Sequence, residues 1–136
     1  SLSVNTYTRA PMSRASTLGT RLTANNGNIV VGKGVSKLLV SGQMTYIAES
    51  AAGIRYLRIV KNNSVTNDNS VAWAMATVPA GARHPIYIPP TLIDVQEGDV
   101  ISLYYYTPKS DDTILGTAFS SSTTGTLTFI TAEVVG

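Results

Sequence analysis

An all-β fold of two antiparallel sheets packed face to face is what this sequence predicts, and three observations carry the prediction. Stretches of roughly four to ten residues rich in Val, Ile, Leu, Thr and Tyr recur along the chain with period-two alternation. Turn signals built from Gly, Pro and Asn separate them at regular spacing. No segment shows a convincing helical period, a heptad or an internal repeat. The organising stretch is Val95 to Tyr106, which opens with a Glu97-Gly98-Asp99 turn whose acids are expected in water. Beyond the turn, Val100, Ser102, Tyr104 and Tyr106 share one face, and Ile101, Leu103 and Tyr105 share the other. A strand with one wet face would alternate more cleanly. This one demands cover on both sides, from a second sheet and from a partner subunit.

In order, residues 1–8 alternate as a first strand, and Arg9 to Thr20, with Pro11 and Gly19, reads as a long loop. Residues 1–28 are thus the looser part of a single domain spanning 1–136. Asn25-Asn26-Gly27 marks a turn before a short strand at Ile29 to Val31, which Gly32-Lys33-Gly34 ends. Val35 to Ala48 is the longest strand, with Leu38, Val40, Gly42, Met44 and Tyr46 on one face; Gly42 marks a bulge or a close approach. Ile54 to Lys61 follows the Ala51-Ala52-Gly53 turn, and residues 62–69 form an Asn-rich loop in solvent.

Val71 to Val78 places Val71, Trp73 and Met75 opposite Ala72, Ala74 and Ala76. Its alanines would suit a helix, but Pro79-Ala80-Gly81 comes too soon, so it reads as a strand with a small-residue face. Arg83 to Ile88 is a strand that Pro89-Pro90 breaks, and Leu92 to Val95 leads into the organising stretch. Residues 107–112 form a loop, Thr113 to Phe119 a short strand interrupted by Gly116, and residues 120–125 a Ser/Thr loop. Thr126 to Val135 is the last strand, placing the C-terminus within the architecture. About eight to ten short strands with regular turns describe an antiparallel two-sheet sandwich or jelly roll.

Composition narrows the function. Charged residues make up 13% of the 136, about half the usual ~25%. The net charge of +2 comes from bases scattered between Arg9 and Lys109, which form no phosphate-tracking stripe. There is no cysteine for a disulfide or a thiolate zinc site. No apolar run approaches the roughly 18 residues of a membrane span. No signal peptide is visible, and the non-Met start reads as the excised end of a longer chain.

The chain resembles the jelly-roll heads of the tumour-necrosis-factor and complement-globular-head superfamily, including their bacterial and phage versions. The residues that carry the resemblance are the long strand Leu38 to Ile47, then Ile54 to Lys61 with its Lys61-Asn62-Asn63 turn, the Val95-Gln-Glu-Gly-Asp-Val-Ile-Ser-Leu segment, and the closing Ser-Thr-Gly-Thr-Leu-Thr-Phe segment. It covers most of the chain from about Ile29 onward. It implies a tight homotrimer about a threefold axis, carried on a stalk upstream. Trp73, Tyr104, Tyr105, Tyr106 and Phe129 are the expected subunit contacts, with either Tyr104 and Tyr106 or Tyr105 alone facing symmetry mates. The Asn-rich loop and the lack of cysteine match a phage fibre tip better than an animal ligand.

Candidate chemistry is sparse. His84, the only histidine, sits between Arg83 and Pro85 and reads as an exposed loop residue. Asp68 and the Asp111-Asp112 pair lack the EF-hand spacing and read as solvated turns, so no metal is assigned. No carboxylate pair is placed as glycoside hydrolysis requires, and no phosphate loop, dinucleotide fingerprint or metalloprotease helix is present. Trp73 offers a stacking surface for a sugar, although its place between Val71 and Met75 points to the core or a subunit contact.

The expectation is therefore a non-enzymatic trimeric binding head, the receptor-binding or fibre-tip domain of a phage, at a virion surface or outside the cell. Its ligand would be a bacterial surface saccharide or protein receptor. The contacts would come from Asn67, Asp68, Asn69, Lys109, Asp111 and Asp112, with Arg83 and His84 beside them. No cofactor, nucleic acid or membrane insertion is expected. The alternatives are a structural decoration of a capsid, baseplate or spore surface, a secreted cytokine-like ligand, and a carbohydrate depolymerase.

Overall fold

In the computed structural model of the chain, residues 2–10, 21–25, 27–115 and 128–136 are described. Most of the expected loop over 9–20, Gly116 to Phe119, the Ser/Thr loop at 120–125 and the first residues of the last predicted strand lie outside them. Ten strands and no helix occur among the described residues. They are β1 (Thr8–Arg9), β2 (Leu22–Asn25), β3 (Asn28–Val31), β4 (Lys37–Ile47), β5 (Gly53–Lys61), β6 (Ser70–Val78), β7 (Arg83–Asp94), β8 (Val100–Tyr106), β9 (Thr113–Leu115) and β10 (Phe129–Val134).

The strands form two antiparallel sheets. One runs β2-β3-β8-β5-β6, with β1 alongside β8; the other runs β10-β4-β7, with β9 alongside β4. The two-sheet jelly-roll architecture is as the alternation predicted. Alternation also selects the core. Leu38, Val40, Met44 and Tyr46 of β4 are fully buried against Leu57 and Ile59 of β5 and Ile101 and Leu103 of β8. Gly42 occupies the same inward phase. A Cβ there would lie 3.0 Å from Leu103 Cδ1 and 3.4 Å from the Phe129 carbonyl oxygen, so the facing sheet comes close at this point. The β4–β7 register also shifts between Val40 and Gly42, which is a bulge.

Four expectations need correction. The predicted first strand shrinks to Thr8–Arg9, because Asn5 adopts a φ of 55° that ends the extended run. Residues 2–7 are instead tied by isolated bonds, from Leu2 N to the Ser110 oxygen and from Asn5 N to the Thr107 oxygen, both 2.9 Å. β2 went unpredicted, although its hairpin turn before β3 was read; the register joins Asn25 to Asn28, with Gly27 at φ 81°. Pro89-Pro90 does not break β7, which is one strand of 12 residues. β7 is an edge strand, and the prolines sit in the bulge opposite Ser41, where a missing N–H removes no ladder bond. Asp99 is not in water. It is buried and accepts bonds from Gln96 N (3.0 Å) and Asn62 Nδ2 (3.0 Å), closing the β7–β8 turn around Gly98, φ 88°.

Candidate binding face

Strand β6 is amphipathic in an unusual sense. Ala72, Ala74 and Ala76 turn toward the core, while Trp73 and Met75 face out, 60% and 54% exposed. The cross-strand register extends this outer face. Met75 pairs with Tyr56, which pairs with Tyr106; Trp73 pairs with Arg58, which pairs with Tyr104. Tyr7, arriving just before β1, closes the group from above. Its ring lies 5.3 Å from that of Tyr106, and the Arg58 guanidinium carbon lies 4.1 Å from its centroid. Tyr56 meets Tyr106 edge-on at 5.5 Å.

Tyr7, Tyr56, Arg58, Trp73 and Met75 line an open cleft of about 420 Å³, completed by Asn67 and Ser70 at the loop end. Arg58 Nη1 donates to Ser70 Oγ (3.1 Å) and to the Val65 oxygen (3.3 Å), which holds the loop beside the strand. The loop is fixed at its root as well. Asn62 and Asn63 take left-handed φ values of 59° and 55°, a conformation asparagine tolerates. Asn62 Oδ1 accepts from Val100 N (2.9 Å), and Asn63 Oδ1 accepts from the Tyr104 hydroxyl (3.1 Å).

At the opposite end of the sandwich lies a buried ion pair. Arg55 Nε and Nη2 donate to Asp112 Oδ2 and Oδ1 at 2.6 and 2.9 Å, with neither side chain reaching solvent. The Thr107 hydroxyl donates to the same carboxylate, and Arg55 Nη2 also bonds the Ala51 oxygen (3.0 Å). The carboxylate's hydrogen bond raises the guanidinium pKa still further. Burial, with Asp112 adding to it, pushes the neighbouring Tyr46 phenol far above its ordinary range.

The predicted ligand residues do not form one site. Asn67, Asp68 and Asn69 lie in the β5–β6 loop, while Lys109, Asp111 and Asp112 lie at the far end in the β8–β9 connection. Arg83 and His84 are there too, but His84 is no exposed loop residue, since it is half-buried in β7 opposite Tyr46. Only Asn67 reaches the cleft. Asp112 is corrected outright: a carboxylate sealed behind Arg55 meets no ligand and is no solvated turn. Asp111 is exposed and accepts a bond from Ser50 Oγ (3.0 Å).

The expected subunit contacts also separate. Tyr105 is 3% exposed and belongs to the core, where burial raises its phenol pKa; Tyr104 and Tyr106 face outward with Trp73. Phe129 pairs with Gln43 on the outer face of the other sheet. Sequence reasoning missed Tyr7, Tyr56, Arg58 and Ser70 as cleft residues. Tyr56 and Arg58 alternate in phase on one strand, which was the available signal; Tyr7 reaches the cleft only through the tertiary fold.

No family model matches the chain, and no curated protein matches it in sequence. Among solved structures, the crystal structure of murine APRIL at pH 5.0 aligns over 71% of this chain and 69% of that one. The TM-score is 0.55 and the identity 13%. The fold is a jelly roll of the tumour-necrosis-factor type. At this identity the likeness carries the strand architecture alone.

Proposed function

We propose that this jelly roll is a non-enzymatic binding head that works as a homotrimer. The observation that carries the reading is a charge-free band across the outer face of the four-stranded sheet. Three successive cross-strand rows, Thr131–Ser41, Phe129–Gln43–Tyr87 and Leu115–Thr45–Pro85, hold no Asp, Glu, Lys, Arg or His; Ser41 and Thr45 are buried, and Thr131, Tyr87 and Pro85 are the exposed members. Charge returns only at the margins, with Glu133 opposite Leu39 and Arg83 opposite Ile47. A surface core depleted of charge is what a protein interface requires. The number three is proposed by analogy with heads of the tumour-necrosis-factor type. The buried acids support a role without catalysis, because Asp112 and Asp99 are both committed to structural partners.

The narrower reading is a phage receptor-binding or fibre-tip head, at a virion surface or outside the cell, that docks on a bacterial surface saccharide. The low charge and the polar Asn62–Asn69 loop support it. Sedimentation equilibrium at micromolar concentration should return three times the 14.4 kDa chain mass. Well-folded single copies would end the trimer reading. Adsorption to bacterial cells and binding on a glycan array should follow. Tight binding to a parent particle with no cell adsorption would make the head a structural decoration.

A further inference from the structure

We propose that the cleft on the outer face of the six-stranded sheet binds a carboxylated sugar. Trp73 would be the stacking platform and the Arg58 guanidinium the carboxylate anchor. The proposal rests on the binding-head reading and names a site and a ligand class for it.

Four observations select this occupant. Trp73 is the most exposed large apolar side chain among the described residues, at 60%, and its ring borders a concavity. An indole presenting its face beside a polar rim suits the C–H face of a pyranose. The cleft volume of about 420 Å³ falls within the range of small-ligand sites, and apolar walls carry a few converging polar groups. Those groups are the amide of Asn67, the hydroxyl of Ser70 and the guanidinium of Arg58, which between them donate to and accept from ring hydroxyls.

Charge decides the class. Arg58 is the one ionic group in the lining, and no acid lines the cleft to neutralise it. Its Nη1 is taken by Ser70 and Val65, while Nε and Nη2 have no hydrogen-bond partner among the described residues. The Tyr7 ring lies against the guanidinium, with 4.1 Å from its carbon to the ring centroid, and helps hold it in place. A planar donor pair held in place is the arrangement that binds a carboxylate bidentately.

Trp73 is the only tryptophan in the chain, so intrinsic fluorescence reports on this site directly. The wild-type head is titrated with uronic-acid oligosaccharides and with their carboxyl-reduced counterparts. A saturable change in Trp73 emission is expected with the acidic sugars, weakening at least tenfold after carboxyl reduction and falling with added salt. Binding by calorimetry should be lost in Trp73→Ala, partly kept in Trp73→Phe, and weakened at least tenfold in Arg58→Gln. All three variants should retain the wild-type oligomeric mass and circular dichroism. Equal affinity for the reduced sugars would overturn the carboxylate anchor, and with it the proposal. Loss of assembly in Trp73→Ala would show the occupant to be a second copy of the chain. Undiminished cell or glycan binding by Trp73→Ala would overturn the cleft and leave the binding head standing. A wild-type head that binds neither cells nor any glycan would overturn both.

Discussion

Replacing Arg55 by methionine strips Asp112 of the two bonds at 2.6 and 2.9 Å and leaves it, of its side-chain partners, the Thr107 hydroxyl. Because the carboxylate has no path to water, the single substitution should cost about 3–5 kcal/mol. That is a large share of the ~5–15 kcal/mol typical of a domain. It corresponds to a fall in melting temperature of roughly 10–20 °C for a chain of this size. Asp112→Leu should cost a similar amount by stranding the guanidinium. The double variant, Arg55→Met with Asp112→Leu, should return to within about 1 kcal/mol of wild type, since two apolar side chains fill the space that the ion pair held. It also removes Arg55 Nη1, which is buried without a hydrogen-bond partner. Urea unfolding followed by far-ultraviolet circular dichroism, at one protein concentration for all four proteins, measures the cycle. Losses that simply add in the double variant, or single losses below about 1 kcal/mol, would refute the pairing as the source of the effect.

Gly42→Val should cost about 1–3 kcal/mol in the same assay, because its added carbons meet Leu103 and the Phe129 carbonyl; a neutral result would remove the close approach of the sheets. The phenol pKa values of Tyr46 and Tyr105 are raised by burial, so their contribution to stability is present below about pH 10 and is lost as pH climbs toward the folded values. Phenolate absorbance of wild type against Tyr46→Phe should show this residue ionising only as the fold opens in alkali. Lys37 holds the Asp94 carboxyl below its ordinary pKa, so the small benefit exists above the unfolded value and is lost as pH falls through the folded one. In Lys37→Gln, the Asp94 titration followed by NMR should move back up, with little change in stability because both groups are exposed.

Alternation made most of the fold legible in the sequence. It placed the inward phase of β4, the turn at Gly98 and the hairpin at Gly27 without tertiary information. It could not say which phase of β6 faces inward. The place of Trp73 between Val71 and Met75 leaves the core and a subunit contact both open, and the structure turns the alanines inward, since the width of the gap under β6 is a property of the assembled sandwich. Proline misled in a related way: Pro89 and Pro90 forbid a central strand but not a bulged edge, and edge status appears only once the sheet order is known. The ion pair did leave a trace. Arg55 shares its phase with Leu57 and Ile59, and a cation in a core phase announces a buried acid. Which acid it meets depends on the β8–β9 loop folding back, and no spacing encodes that.

The two outer faces of the sandwich make opposite demands, and this gives a test of how labour is divided between them. Burying the six-stranded face against another copy would desolvate Arg58, whose Nε and Nη2 would then need a carboxylate from that copy; the cleft supplies none. The open part of the band, exposed Thr131 and Tyr87 with half-buried Phe129 and Gln43, carries no ionic group to desolvate. Tyr87 is 47% exposed in the single chain, so Tyr87→Glu should leave the monomer fold intact while placing a charge inside each subunit contact. A charge buried there without a partner costs several kcal/mol per contact, and every 1.4 kcal/mol weakens association about tenfold. Sedimentation should therefore show the glutamate variant dissociating at concentrations where Trp73→Ala stays assembled. If Tyr87→Glu remains a trimer and Trp73→Ala falls apart, the faces have been assigned the wrong way round.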